Sequence, residues 1–320
     1  MNFILSEMTF LRYFLPLIIE ANKKKIKSKV LIKRNAKYNN PYSFLDLLNN
    51  LSQEHNFDIL DISEARNCTG ISFVIEGVDC RLLDRDKTKI ISITYMTDYF
   101  GLYDGYIEHV DNVIFPSKYF ANQYDKINSK NLYLGSPKYD INLNKENIIK
   151  KYNLTNNKKA LIIYPRTRDL NKVDIKKIIS FLKLNNYDVV VKSRGKEPIN
   201  NVAHSGDFYF LDKSWVPHTT IELIEVSDII INFNSTCVKE CVILKKPLIN
   251  FNIKPWLPLP KLYNHSFCES LNTDCSQQEF TNSIKRLTES NLEESFNNVI
   301  SNYLFEGNSS RRILKHFRII

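Results

Sequence analysis

Polar residues that suit phosphate binding follow an apolar run in the second half of the chain. Ser235 and Thr236 come directly after the run at 228–233, and Glu240 lies about one helical turn further on. The hydroxyls and backbone N–H groups of such a turn can bind a phosphate, and the carboxylate is placed to accept hydrogen bonds from a ribose. The same residues also suit a helix cap that binds no ligand.

Two other turns of this half carry cations in the same position relative to an apolar run. Arg166 and Arg168 follow one run, and Arg194 and Lys196 follow the next. Guanidinium groups bind diphosphates through paired hydrogen bonds. Each turn alone is more typical of a solvated loop, but three such turns at one edge of a parallel sheet predict a diphosphate site.

The first half of the chain supplies two candidates for a general base. Asp98 follows the longest apolar run there, close in sequence to several tyrosines on which a sugar ring could stack. Glu7 follows the first apolar run. A carboxylate in either turn could deprotonate an acceptor hydroxyl. The alternative is a structural role, for Asp98 as the cap of a helix over residues 99–106.

These turns must be positioned by strands and helices that alternate along the chain. Strands are predicted at 2–5, 29–33, 57–60, 71–75, 89–96, 112–115 and 131–134, and then at 159–164, 188–192, 208–211, 228–233 and 248–251. Helices are predicted at 9–23, 40–55, 173–184, 220–226 and 237–244, with a kink at Pro16 or a later start to the first of them. The alternation predicts two doubly wound α/β domains with parallel sheets. The polar stretch 139–158 places their junction near residue 145.

Length and charge limit the classes of protein to which this chain can belong. At 320 residues it fits two domains better than one. The formal charge of +9 favours anionic partners such as nucleotides or phospholipid headgroups. The basic residues are not interleaved with aromatic ones along one face, so nucleic acid is not predicted as a partner.

Cysteine spacing and hydropathy indicate a cytoplasmic protein. The six cysteines form no CxxC pair and there is no cleavable signal peptide, so we expect neither disulfides nor zinc. The DxD motif at 84–86 lies in a charged loop and there is no HExxH motif, so no metal is predicted. The most apolar N-terminal run, 10–19, is interrupted by Arg12 and is shorter than the roughly 20 residues that cross a bilayer. Contact with the inner face of a membrane would therefore be peripheral.

Four stretches form a set with a recognisable order and spacing. They are LGSPKYD at 134–140, IIYPRTRD at 162–169, the segment 227–251 with its Ser-Asp start and internal Lys-Pro, and NYLFEGNSSRRI at 302–313. Together they resemble the GT-B glycosyltransferases, most closely the CDP-glycerol glycerophosphotransferase family, which builds polymers of the teichoic acid type. The likeness to the UDP-N-acetylglucosamine 2-epimerases is more distant.

The resemblance implies a GT-B fold, an α/β architecture of two Rossmann-like doubly wound domains that face a central cleft. Residues 1–145 would form the acceptor-side domain, and residues 146–320 the domain that binds the nucleotide donor. The last helix, from about Ser309, would cross back to the first domain.

The same resemblance assigns roles within the donor domain. Ser235 and Thr236 match the Ser pair that binds the donor phosphates, and Glu240 matches the acidic residue that holds the ribose. Where the family carries K-x-H-P, this chain has Lys192–Gly195 without the histidine. That departure counts against polyol-phosphate transfer through a histidine and also against epimerisation.

The function implied is that of a metal-independent, inverting transferase. It would move a sugar or polyol-phosphate from a nucleotide-sugar or CDP-polyol donor to a glycan or lipid-linked acceptor, as in surface-polysaccharide synthesis. It would need no cofactor besides the donor. A nucleotide-sugar 2-epimerase and a non-catalytic nucleotide-binding scaffold remain the alternatives.

Overall fold

Two parallel sheets form the framework of the computed structural model, which describes residues 1–34, 40–95, 105–122, 129–193, 205–211, 215–254, 257, 259–304 and 307–320. Each sheet belongs to one of two units. Unit 1 comprises Met1–Ile141 and Tyr303–Ile320, and unit 2 comprises Asn142–Asn302. The C-terminal segment therefore belongs to the same unit as the N-terminus.

The described sheet of unit 1 is built from β1 (Asn2–Leu5), β2 (Ser28–Ile32), β3 (Phe57–Asp61), β4 (Gly70–Ile75), β5 (Thr88–Ile93), β6 (Asn112–Phe115) and β7 (Asn131–Tyr133). The strands are parallel and lie in the order β3-β2-β1-β4-β5-β6-β7. The order changes direction between β1 and β4. The switch point of this sheet, where such folds bind ligands, therefore lies at the carboxyl ends of those two strands.

The described sheet of unit 2 is built from β8 (Lys159–Ile163), β9 (Asp188–Ser193), β10 (Phe208–Leu211), β11 (Ile229–Asn232), β12 (Leu248–Phe251) and β13 (Cys268–Leu271). These strands are also parallel, in the order β10-β9-β8-β11-β12-β13. The switch point of this sheet lies between β8 and β11.

Apolar runs rich in β-branched residues explain why these segments are strands. β8, β11 and β12 are buried along their whole length, as expected in a parallel sheet that is covered on both faces. The predicted architecture of two parallel, doubly wound α/β sheets is confirmed. The strand predicted at 89–96 was predicted too long, because β5 ends at Ile93.

Helices connect the strands. The α-helices of the described residues are Leu11–Asn22, Leu45–His55, Lys118–Asn122, Lys145–Lys151, Ile175–Leu184, Thr219–Val226, Val238–Ile243, Gln277–Glu289, Glu293–Tyr303 and Ser309–His316. The first begins at Leu11, after a 3-10 turn at Met8–Phe10, so the later start that Pro16 suggested is confirmed, and Pro16 lies inside the helix. The helix predicted at 40–55 likewise starts with a 3-10 turn, at Pro41–Phe44. In the described part of the chain, no helix is both long enough and apolar enough to cross a bilayer.

The C-terminal helix is fastened by the turn that follows β7. The Asp140 carboxylate accepts hydrogen bonds from the backbone N–H groups of Ser309, at 3.0 Å, and of Ser310. A negative charge is favourable at this end of a helix. Gly135 has a φ of 91° and lies so close to the helix that a Cβ would come within 2.2 Å of Ser309 Oγ. The stretches LGSPKYD at 134–140 and GNSSRR at 307–312 therefore have a structural role within unit 1.

Asp140→Ala is expected to destabilise unit 1 by about 1–2 kcal/mol, because two helix N–H groups lose their acceptor. Thermal unfolding and hydrogen exchange of residues 309–316 would both report the loss. Asp58→Ala is a matched control, since Asp58 is exposed on β3. An Asp140 variant with unchanged melting temperature and unchanged exchange would contradict this role.

Candidate functional site

Two of the turns selected from the sequence lie side by side at the switch point of unit 2. β8 and β11 are parallel neighbours. β8 leads into Arg166 and Arg168, and β11 leads into Ser235 and Thr236. The carboxyl ends of parallel strands lie at one edge of the sheet, so these four residues share the edge at which open α/β sheets bind ligands.

The turn after β8 surrounds a buried carboxylate with cations. Asp169 is 4% exposed. Lys172 Nζ lies 2.8 Å from its Oδ1, and Arg168 Nε lies 3.9 Å from its Oδ2. Burial alone would raise the pKa of Asp169. The hydrogen bond and charge of Lys172, and then the charges of Lys254 and Arg168, bring this pKa below its ordinary value, so the carboxylate is ionised at neutral pH.

Lys254 belongs to the same edge although its sequence context did not single it out. It lies three residues beyond β12 and is half-buried. Burial lowers the pKa of Lys254, the Asp169 carboxylate raises it, and the charges of Arg166, Arg168 and Lys172 lower it again. Lys254 therefore lies within electrostatic range of the turn after β8.

A buried polar network supports the turn that carries Ser235. Asn232 Nδ2 donates to Asn250 Oδ1 at 3.0 Å and to Tyr263 Oη at 2.9 Å. Tyr263 Oη donates to the Ser235 carbonyl at 2.5 Å, and Asn250 Oδ1 also accepts from the Asn234 N–H at 2.9 Å. The three asparagines are at most 1% exposed. Because buried hydrogen bonds are costly to break, this network holds the turn in one conformation.

The capping predicted for Ser235 and Thr236 takes a different form in the structure. The helix that follows begins at Val238 and has six residues, with Cys237 at the N-cap position. Ser235 Oγ accepts a hydrogen bond from the Cys237 N–H at 3.3 Å, so this hydroxyl closes the turn before the helix. Ser235 and Thr236 are half-buried, whereas Glu240, inside the helix, is only 4% exposed.

An open cleft of about 480 Å³ adjoins the turn after β8. It is lined by Tyr164, the segment 170–176, Thr273 and Asp274. Its volume falls within the range of roughly 300–1,000 Å³ that is typical of small-molecule sites. Lys172, which contacts Asp169, forms part of its wall, whereas Arg166 and Arg168 are not among its lining residues.

Glu7 lies at the switch point of the sheet of unit 1. It is half-buried just after β1, and its Oε2 accepts a hydrogen bond from the Thr9 hydroxyl at 3.3 Å. Beside it, Ser6 Oγ donates to Asp79 Oδ2 at 2.5 Å, and Lys33 Nζ lies 2.8 Å from Asp79 Oδ1. The ends of β1 and β2 and the turn after β4 thus bring two carboxylates and an ammonium to this edge.

Three of the residues selected from the sequence lie outside the described part of the chain. They are Asp98, Arg194 and Lys196. The basic turn expected after β9 therefore stays a prediction, as does the proximity of Asp98 to an acceptor.

Known proteins resemble this chain in fold. No family model matches it, and no curated protein matches its sequence. The UDP-GlcNAc 2-epimerase from Neisseria meningitidis bound to UDP-GlcNAc is similar with a TM-score of 0.66 and 16% identity, over 98% of this chain and 97% of that one. The wall teichoic acid polymerase TagF is similar with a TM-score of 0.66 and 13% identity, over 99% of this chain and 87% of that one. The glycotransferase of kitacinnamycin is similar with a TM-score of 0.61 and 8% identity, over 100% of this chain and 98% of that one. The chain has the GT-B fold.

The GT-B fold confirms the architecture that the four sequence motifs implied. Its two Rossmann-like sheets correspond to the sheets of units 1 and 2, and each has its switch point at a turn with polar side chains. The sequence identities of 8% to 16% establish the fold alone. The roles of individual residues in this GT-B chain must therefore be argued from its own geometry.

Proposed function

We propose that this chain is a GT-B enzyme that binds a nucleotide-activated donor at the switch point of unit 2 and transfers the activated group to an acceptor. The observation that carries the proposal is that exposed guanidinium groups follow β8 while hydroxyls on a rigid turn follow β11, its parallel neighbour. Guanidinium groups pair with phosphates through two hydrogen bonds. The hydroxyls can donate to the remaining phosphate oxygens.

The similar epimerase supports the nucleotide part of this proposal, because it was solved with UDP-GlcNAc. The residues proposed for the donor are Arg166, Arg168, Arg194, Lys196, Ser235, Thr236 and Glu240, and those proposed as the general base are Asp98 and Glu7. Cations and hydroxyls can stabilise the charge on a leaving phosphate without a metal. We therefore propose a metal-independent, inverting transfer that requires no cofactor besides the donor.

The proposed acceptor is a glycan or a lipid-linked precursor of a surface polysaccharide. Its hydroxyl would be deprotonated from unit 1, where Glu7 lies at the switch point. The formal charge of +9 supports a peripheral contact with anionic lipid at the inner face of the membrane. Such a contact would bring the cytoplasmic enzyme to a lipid-linked acceptor.

A nucleotide-sugar 2-epimerase is the second candidate. The observation that favours it is the match in length, since the similarity to the Neisseria enzyme spans 98% of this chain and 97% of that one. An epimerase needs no acceptor. Incubation of the protein with UDP-GlcNAc alone, followed by separation of the sugar epimers, distinguishes the two reactions.

Calorimetry with CDP, UDP, GDP and CMP tests the proposed donor site. Arg166→Ala should weaken binding of the preferred diphosphate by roughly 10- to 100-fold, because it removes a charge-assisted hydrogen bond worth about 1.5–3 kcal/mol. Arg286→Ala is the matched control, since Arg286 pairs with Glu269 on the surface of unit 2. Equal affinity in the wild type and the Arg166 variant would remove the turn after β8 from the site.

A further inference from the structure

Two neighbouring helices of unit 1 end at the amino edge of its sheet, where the parallel strands begin. Residues 23–27 lead from the end of the first helix, Leu11–Asn22, to the start of β2. The C-terminal helix, Ser309–His316, runs from the turn after β7 towards the start of β5, where Lys89 Nζ lies 4.9 Å from the ring centroid of Phe317. The two helices contact each other, so their ends lie side by side.

Ring contacts show that both helices cover the same face of the sheet. Phe3 of β1 and Phe73 of β4 stack on this face with 5.3 Å between ring centroids. Phe14 of the first helix packs on Phe3 at 5.2 Å. Phe317, which directly follows the C-terminal helix, packs on Phe73 at 6.5 Å. Packed helices lie about 8–10 Å apart, so side chains at the two ends can contact one external surface together.

Exposed cations cover these two ends. They form no ion pair within the described part of the chain, and they are Lys24, Lys25, Lys27, Lys315 and Arg318. The first helix has one acidic side chain, Glu20, which pairs with Lys23 at 2.6 Å, and the C-terminal helix has none. At the adjoining ends, Glu54 is exposed and Asp58 lies opposite Lys29 in the register of β2 and β3. This end of unit 1 therefore carries an excess of positive charge.

Apolar side chains lie among these cations. Ile26 is half-buried between two exposed lysines, and Ile319 and Ile320 are half-buried directly after Arg318. Lysines that bind headgroups beside apolar side chains that enter the acyl boundary are typical of a surface that lies on an anionic bilayer. A nucleic acid offers phosphates but no apolar layer, and the aromatic ring at this end, that of Phe317, is already packed on Phe73.

We propose that this end of unit 1, the basic end, docks on a bilayer of anionic phospholipid. It comprises Lys24, Lys25, Lys27, Lys315 and Arg318 with Ile26, Ile319 and Ile320. The inference rests on the proposed function, because it assigns the peripheral membrane contact to one surface. Glu7 lies at the other end of strands about 15–20 Å long, so a lipid-linked acceptor would reach it as an extended glycan.

Flotation of the full chain with lipid vesicles tests this inference. The wild type should bind vesicles of phosphatidylcholine with about one third phosphatidylglycerol. It should not bind phosphatidylcholine alone, and salt at about 0.5 M should release it. Replacing Lys24, Lys25 and Lys27 together by Gln should weaken binding roughly 100-fold, because each cation near an anionic surface contributes about fivefold. Replacing Lys315 and Arg318 by Gln should weaken it roughly 25-fold.

Replacing Lys150, Lys158 and Lys285 together by Gln is the matched control for the triple variant. It removes the same charge from exposed positions of unit 2, and vesicle binding should stay within about threefold of the wild type. An equal loss in this control would show that net charge attracts the chain to lipid, and would overturn the inference.

A wild type that does not bind the anionic vesicles would also overturn it, as would unchanged vesicle binding in both variants of the basic end at normal melting temperature. Loss of binding to an RNA or DNA duplex in those variants, with vesicle binding kept, would assign the basic end to nucleic acid instead. Calorimetry with UDP separates these results from the proposed function, since both variants should bind UDP as the wild type does. A chain that binds a nucleotide but no vesicle would leave the donor site standing without the membrane contact. A chain that binds vesicles but none of CDP, UDP, GDP and CMP would keep the basic end and overturn the donor site.

Discussion

Replacing Glu7 with glutamine is expected to lower turnover of the activated donor by about 10²–10⁴-fold while nucleotide affinity stays unchanged. Glutamine keeps the size of the side chain and the hydrogen bond from Thr9, but it cannot take a proton from an acceptor. Glu7 follows β1 at the switch point of the unit 1 sheet, which is the edge where a ligand would bind. Among the described residues, Thr9 supplies the one side-chain hydrogen bond to this carboxylate, so an oxygen is left for the acceptor hydroxyl.

Glu20→Gln is the matched control for Glu7, because Glu20 forms a surface ion pair with Lys23 in the same unit. Turnover can be measured as the nucleotide released from the donor, which is a nucleoside diphosphate after sugar transfer and CMP after polyol-phosphate transfer from a CDP-polyol. Asp98→Asn should be measured beside it, since Asp98 is the other candidate base. Full activity in the Glu7 variant with loss in the Asp98 variant would move the base to Asp98. Full activity in both would exclude both carboxylates from this step.

Four strands have the bounds that the sequence predicted, namely β1, β6, β10 and β12. Each is a short, mostly apolar run with a clear end. Burial is not the reason, because β10 is half-buried at the edge of its sheet. β13 was not predicted. It has the sequence CESL, lies at the edge of its sheet and is only partly buried, so charge and hydroxyl groups interrupt its apolar pattern.

The site was predictable where its chemistry is local and unpredictable where it depends on strand pairing. The turn residues stood out because each follows an apolar run directly. The supporting amides did not, although the sequence INFN occurs at both 231–234 and 249–252. The register of β11 on β12 places Asn232 opposite Asn250, and only this pairing turns the repeat into a polar network. The position of Lys254 at the same edge as the turn after β8 likewise depends on the order of the strands in the sheet.

Removing both hydroxyls of the turn after β11, by Ser235→Ala with Thr236→Ala, is expected to lower kcat by about 10²–10³-fold. Ser235 Oγ accepts from the Cys237 N–H, which leaves its own proton for the leaving phosphate. Thr236 makes no side-chain hydrogen bond to the described residues, so its hydroxyl is available as well. Charge grows on this phosphate as the donor bond breaks, so the hydroxyls stabilise the transition state more than the ground state.

The distribution of the loss between kcat and KM decides whether these hydroxyls act in this way. The buried network of Asn232, Asn250 and Tyr263 holds the main chain of the turn, so the double variant should lose the hydroxyls and keep the turn. Ser235→Thr retains a hydroxyl and should keep most of the activity that Ser235→Ala loses. Glu240→Gln should instead raise KM with kcat little changed, because a ribose contact is made equally in both states. A double variant whose loss lies wholly in KM would show that the turn binds the donor and does not stabilise its cleavage.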